Sequence, residues 1–231
     1  MNTNRSLVTL FALTGLAAPG LCGVTSYDPA LGTLPESQGW DYLGDGPSAP
    51  GAVVAGGQLS YGPSSTPART FWATGTTPAD FTTETWVFEF DLRLTNASYE
   101  ANGQYSRGGF SIYMRDSLGN YISADVGSSA LGLRNVDWTN GQNVATDLSG
   151  TFRTLRLEAG PGGAAVYINN SLISSLALGT GGSNSSFFYW GEASILASAE
   201  LTEVRGVNLV PAPGAAALLG LGGLITMRRR R

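Results

Sequence analysis

Glu89-Phe90-Asp91-Leu92-Arg93 is the stretch whose residue types and spacing come nearest to catalysis. In an extended chain successive side chains point to opposite sides, so Glu89, Asp91 and Arg93 share one face. Two carboxyl groups about 5 Å apart are what a retaining glycosidase needs, one as nucleophile and one as acid. Here the third position is an arginine, and a guanidinium beside carboxylates favours their charged forms. The pattern predicts a salt-bridged polar face, an empty catalytic set and no enzyme. Glycosidic cleavage is the one reaction class it leaves open.

A binding role is read from a wider set. Glu89, Asp91, Arg93, Tyr113, Arg115, Tyr121 and Asp125 all fall at outward positions of alternating segments and are expected to line one groove. Aromatic faces stack on the C–H surfaces of sugars, and a few charged groups fix the hydroxyls. The competing reading is a solvated sheet face whose tyrosines improve cross-strand packing. Asp116 and Asn120 flank a turn, where turn chemistry accounts for both and calcium is the alternative.

Absent residue types narrow the chemistry further. The chain has no histidine, all thirteen basic residues are arginine, and there is one cysteine, Cys22. A Ser-His-Asp triad, histidine-ligated zinc and Schiff-base chemistry are excluded, as are disulfides, zinc ribbons and iron–sulfur clusters. No cofactor is expected, and calcium is the metal the residue types still allow. Five of the arginines lie in the two ends, which leaves eight against all seventeen acids between Val24 and Asn208, a net charge of −9. That balance argues against a nucleic-acid partner.

The elements that must position these residues are strands. Trp86, Phe88, Phe90, Leu92 and Leu94 alternate with Thr85, Val87, Glu89, Asp91 and Arg93, one apolar face and one polar. Phe110, Ile112 and Met114 alternate with Ser111, Tyr113 and Arg115. After the turn at Asp116 to Asn120, Ile122, Ala124 and Val126 alternate with Tyr121, Ser123 and Asp125, which predicts a hairpin. Further strands are expected at Leu131 to Val136, Arg153 to Glu158, Ala165 to Asn169, Leu172 to Ser175, Phe187 to Trp190 and Leu201 to Leu209. Asn169-Asn170 reads as a tight turn, because asparagine tolerates positive φ. Tyr27 to Pro67, rich in Gly, Pro and Ser, reads as a leading strand plus surface loops anchored by Trp40 and Tyr42. Trp86, Phe110, Phe187 and Phe188 are read as core.

Three of these segments in order carry a resemblance. Trp86 to Leu94, then Arg107 to Asp116 with its hairpin, then Phe152-Arg153-Thr154-Leu155-Arg156-Leu157-Glu158 leading to Ala165-Val166-Tyr167-Ile168-Asn169-Asn170, with Phe188-Tyr189-Trp190-Gly191-Glu192 later, resemble the concanavalin A-like lectin and glucanase superfamily, including its laminin-G-like members. The resemblance covers roughly residues 70–209. It implies an all-β, antiparallel jelly-roll β-sandwich of two sheets, one concave, and an acidic triplet on one concave strand, where Arg93 replaces the third acid.

The ends read as targeting segments. Arg5 followed by apolar Leu7 to Ala18 predicts a signal helix, residues 1–23, cleaved between Leu21 and Val24. After the sandwich domain, 24–208, a tail of 209–231 is expected. Its apolar run Gly214 to Met227 is short for a permanent span, and Arg228, Arg229, Arg230 and Arg231 resist crossing an energised membrane. Val210-Pro211-Ala212-Pro213, the Gly- and Leu-rich run and the arginine end resemble the PEP-CTERM sorting signal of Gram-negative bacteria. That resemblance implies processing by an exosortase-type enzyme at the inner membrane and delivery to the cell surface or extracellular matrix. Ala212 stands where the name-giving glutamate usually sits.

The expectation is thus an exported, non-catalytic surface protein whose jelly roll binds polysaccharide. A structural or adhesive exopolysaccharide component without a small ligand and a divergent glycoside hydrolase are its alternatives.

Overall fold

The computed structural model describes residues 25–45, 51–62, 69–74, 80–102, 105–135, 141–180, 187–192 and 200–212, with backbone alone for 99–108 and 187. The signal segment, Cys22 and the tail from Pro213 through Arg231 lie outside the described residues. In chain order the strands are β1 (Thr25–Tyr27), β2 (Asp41–Tyr42), β3 (Val53–Ala55), β4 (Gln58–Tyr61), β5 (Thr70–Thr74), β6 (Trp86–Thr95), β7 (Tyr99–Asn102), β8 (Tyr105–Gly108), β9 (Phe110–Arg115), β10 (Asn120–Val126), β11 (Ala130–Arg134), β12 (Gln142–Ala145), β13 (Arg153–Gly160), β14 (Gly163–Ile168), β15 (Ser171–Leu176), β16 (Gly179–Thr180), β17 (Phe187–Glu192) and β18 (Leu201–Pro211).

They form two antiparallel sheets. The first runs β15-β14-β13-β6-β18-β4-β3, with β1 also on β18; the second runs β12-β11-β10-β9-β17-β5-β2, with β16 on β10. A separate β7–β8 hairpin lies against β10 and β11. The chain passes repeatedly from one sheet to the other, β5 to β6 to β9 and β17 to β18, as a jelly roll does.

Alternation explains why these segments fold this way. Phe88, Phe90, Leu92 and Leu94 of β6 are fully buried while Val87, Glu89, Asp91 and Arg93 between them are half-buried. Leu155 and Leu157 of β13 pair with Phe90 and Phe88, and Val207 and Leu209 of β18 pair with the same two rings from the other side. The second sheet presents Phe110, Ile112, Met114, Ile122, Ala124, Phe188 and Trp190 to the same interior. Rings meet across the gap: Phe90 lies 5.5 Å from Phe110 and Phe88 6.0 Å from Phe188. Burying each such ring contributes about 2–3 kcal/mol, so the β6 pattern alone makes it the central strand of its sheet.

The expected strands are all present within two residues of their expected bounds. Asn169 and Asn170 have φ of 48° and 64°, as their turn requires. The region from Tyr27 holds more than one leading strand: it forms β1 to β4 and two single 3-10 turns, Pro29–Leu31 and Pro35–Gln38. Trp40 is its anchor, stacked on Phe88 at 5.9 Å and 4°. At the other end β18 runs through Pro211, opposite Trp86, and the Ala212 amide donates to the Thr85 carbonyl at 2.7 Å. Val210 and Pro211, expected in the tail, continue the strand expected to end at Leu209. They extend the pairing of β18 with β6 to the start of β6. Among the described residues no helix is long and apolar enough to cross a membrane.

Candidate functional site

The seven residues expected in one groove do not share one. Glu89, Asp91 and Arg93 are on β6 in the first sheet; Tyr113, Arg115, Tyr121 and Asp125 are on β9 and β10 in the second. Both groups face away from the interior, so the whole aromatic core lies between them. Period 2 states that a residue points outward, and both sheets have an outward side.

On the first sheet Arg93 does not serve its strand-mates. Its Nη2 donates to Glu203 Oε1 at 2.6 Å, its Nε also pairs with that carboxylate, and Gln58 Nε2 donates to the same oxygen at 3.0 Å. The Arg93 hydrogen bond holds the Glu203 carboxyl below its ordinary range. Asp91 moves the other way, pushed up by burial and partly offset by Arg205. The bulge of β18 between Val204 and Gly206 turns Arg205 over the Phe152 ring, 3.6 Å from its centre, with Arg93 at 5.0 Å from the same ring. Arg156 covers Tyr167 at 4.4 Å.

The second sheet's outer face is organised differently. Phe71 on β5, Tyr189 on β17, Tyr113 on β9 and Tyr121 on β10 form a continuous aromatic band across four strands. Tyr189 and Tyr113 stack at 4.7 Å and 15°, Tyr113 meets Tyr121 at 4.4 Å and 62°, and Phe71 meets Tyr189 at 5.2 Å and 54°. Three strand spacings of about 4.8 Å make the band about 14 Å long. Beside it Ser111 Oγ donates to Asp125 Oδ1 at 2.7 Å, and Asp125 pairs with Arg134 of β11. Ser111, Arg115, Ser123, Asp125 and Arg134 are buried although they point away from the core. A bare solvated face would leave such groups wet; β8 packs against the two strands that carry three of them.

The tyrosines here are hydroxyls, not bases. Burial pushes Tyr121 up to about 12 against the opposing hydrogen bond to Ser123, whose Oγ accepts from the phenol at 3.1 Å. Burial also raises Tyr113, with Arg115 acting against it. At neutral pH they can stack on a ligand and exchange hydrogen bonds with it. Asp125 is the carboxylate beside the band, with Asp41 of β2 exposed at the far edge of the same face opposite Ala73, so Asp125 is the group placed to stabilise positive charge on a sugar ring.

Gly191 lets the band close. Its φ is +128°, and a Cβ there would stand 2.4 Å from the Thr70 carbonyl oxygen and 2.8 Å from Phe71 Cα. Phe71, Tyr189, Ser111, Ser123 and Arg134 were not singled out from the sequence. Outward parity in Phe187 to Trp190 and in Leu131 to Arg134 was their available signal.

Asp116 accepts from the amides of Phe81, Leu118 and Asn120 and from Asn120 Nδ2, which is turn chemistry. Among the described residues no group of three or more acidic, histidine or cysteine side chains converges for a metal. Two shallow clefts of ≈ 230 and ≈ 260 Å³ sit around Gly160 to Gly163, and Glu158 is the one charged residue lining them.

No protein-family model and no curated protein matches this sequence. Solved structures do. The apo Crh5 transglycosylase matches with TM-score 0.53 and 11% identity, covering 84% of this chain and 87% of that one. A carbohydrate esterase from Shiga toxin-encoding bacteriophage phi24B matches at 0.54 and 14%, over 83% and 100%. The Bacillus licheniformis β-glucanase matches at 0.51 and 8%, over 80% and 97%. The fold is the concanavalin A-like jelly roll. At these identities the likeness is one of architecture. Even so, it corrects the expectation of no enzyme, because the neighbours are enzymes named for carbohydrate chemistry. Arg93 is tied across the strands to Glu203, as the expected salt-bridged polar face requires, and the aromatic band with its carboxylate lies on the other sheet.

Proposed function

We propose that this protein is a carbohydrate-active enzyme, a divergent relative of the glycosidase jelly rolls, that takes a glycan chain across the outer face of its second sheet. The observation that carries this reading is the Phe71–Tyr189–Tyr113–Tyr121 band beside the buried Asp125–Ser111–Arg134 group. In this reading the half-buried Tyr113 and Tyr189 receive sugar rings, and about 14 Å of band accommodates roughly three of them. Asp125, held in place by Arg134 and Ser111, is the carboxylate this reading sets beside the glycosidic bond to stabilise positive charge on the sugar ring. Tyr121 and Ser123, buried and hydrogen-bonded to each other, support the band.

The place of action in this reading is outside the inner membrane, with residues 1–23 removed and the tail handled by an exosortase-type enzyme. Because Pro211 is still paired and Ala212 still hydrogen-bonded, cleavage is expected at or after Ala212. Intact mass of the native protein tests this; a main species ending in Arg231 would refute it.

Activity is tested by chromatography of oligosaccharides released from β-glucans by the purified chain. Product formation that falls at least 100-fold in Asp125→Asn is expected. Absence of both turnover and glycan binding in the wild type would overturn the function.

A further inference from the structure

Glu192 is used by nothing described so far. It ends β17, on the side of Phe188 and Trp190, and so points into the sandwich, where it is 4% exposed. Across β5 it pairs with buried Thr70. From the first sheet it is faced by Tyr61 of β4 and its register partner Thr202 of β18, both 1% exposed. The Tyr61 hydroxyl has Thr202 beside it, and the indole N–H groups of Trp72 and Trp190 have no hydrogen-bond partner among the described residues. This end of the interior therefore gathers polar groups with few partners among the described residues.

No described cation compensates the carboxyl. On β18 the neighbouring Glu203 is turned outward to Arg93 of β6. Next to β5, exposed Arg69 is bound to Asp45. On β9, Arg115 lies on the outer face with Tyr113. On β4 the titratable group is Tyr61 itself, whose own ionisation Glu192 opposes.

We infer that Glu192 is a proton-held latch: as a neutral acid it closes this end of the sandwich between β17, β5, β4 and β18, and its ionisation opens that end to water. A buried carboxylate without a partner is costly enough that local opening or protonation must relieve it. Burial pushes the Glu192 carboxyl from 4.5 up to about 7. The folded chain thus binds this proton more tightly than the unfolded chain. Stability is full below about pH 4.5, is lost as pH rises towards 7, and levels off above. Between about pH 5 and pH 8 the unfolding constant should rise roughly 70-fold from this group.

The chain offers an unusually clean reading of that window. It has no histidine, the side chain that ordinarily titrates there. The opposite face of β17 carries Tyr189, so opening would also loosen the aromatic band; that consequence rests on the function proposed above, and the latch itself does not.

The experiment is urea unfolding of the full chain at about pH 5 and pH 8, followed by tryptophan fluorescence, for wild type and Glu192→Gln. The wild type should lose stability by roughly 70-fold in the unfolding constant, and the Gln variant should be nearly flat. Parallel behaviour of the two overturns the latch. If the variant does not fold, the infrared carboxyl band of the wild type decides. A protonated band at about pH 6 that vanishes by pH 8 supports the latch, and its absence at pH 6 refutes it. Glycan binding measured at both pH values separates the two proposals, since a pH-responsive chain that binds no glycan keeps the latch and loses the function.

Discussion

The two outer faces of the sandwich are built from the same residue types and use them in opposite ways. On the first sheet every prominent ring is covered: Phe152 by Arg205 and Arg93, Tyr167 by Arg156. On the second sheet rings touch rings, while Arg134 pairs with Asp125 and Arg115 with the Tyr113 hydroxyl. A guanidinium over an aromatic face occupies the surface a sugar would use. The comparison teaches that outward aromatic residues can be joined into a band or covered singly by guanidinium groups, and composition does not say which.

Breaking the buried ion pair should separate the faces most. Asp125→Ala leaves Arg134 buried and uncompensated, and about 3–5 kcal/mol of stability should be lost, read by urea unfolding. The equivalent change on the first sheet, Glu203→Ala, releases Arg93, whose side chain is 34% exposed, and should cost about 1 kcal/mol. Equal losses would mean that the second face is no more enclosed than the first.

Next in size is Gly191→Ala. The added Cβ meets backbone atoms of β5 in a conformation that L residues avoid, and about 3 kcal/mol should be lost. Glycan binding should fall with it, because β17 must move off β5. An alanine variant with unchanged melting would show that β17 and β5 are not held as closely as this face requires.

Smaller still is the direct contact. Tyr189→Ala should weaken glycan affinity roughly tenfold, and Tyr113→Ala comparably, while Tyr167→Ala on the first face should leave it unchanged. Isothermal titration with an oligosaccharide decides, and a loss at Tyr167 would transfer the site to the other sheet.

The least effect is expected from pH on the first face. Glu203 has its folded value lowered by Arg93, so its contribution is present above the unfolded range near 4.5 and disappears as pH falls through the folded value. That is the reverse of Glu192 in the interior, whose contribution disappears as pH rises. The difference between wild type and Glu203→Gln should therefore narrow in acid, by about 1 kcal/mol at most. A gap that stays constant into acid would place the Arg93 pairing outside the folding balance.

Much of the fold was legible because it follows from short-range periodicity. The alternation in Trp86 to Leu94 named the buried rings, Asn169-Asn170 named a turn, and the Phe110 to Val126 hairpin formed around its expected turn, with Ser123 opposite Tyr113 and Asp125 opposite Ser111. The site was legible in halves. Tyr113, Tyr121 and Asp125 were found, yet they were joined to Glu89, Asp91 and Arg93, which stand on the far side of the core. Their true neighbours, Tyr189 and Arg134, are 76 and 21 positions from Tyr113 along the chain.

By itself, then, the sequence determined which residues lie inside, where strands turn, and which chemistries are impossible in a chain without histidine or lysine. These depend on side-chain type and on a two-residue repeat, both local properties. The tertiary structure decided which outward residues meet. That depends on strand order and register, set by how β6 and β9 bury their apolar sides against each other, and an outward side chain carries no mark of the sheet to which its strand will be added.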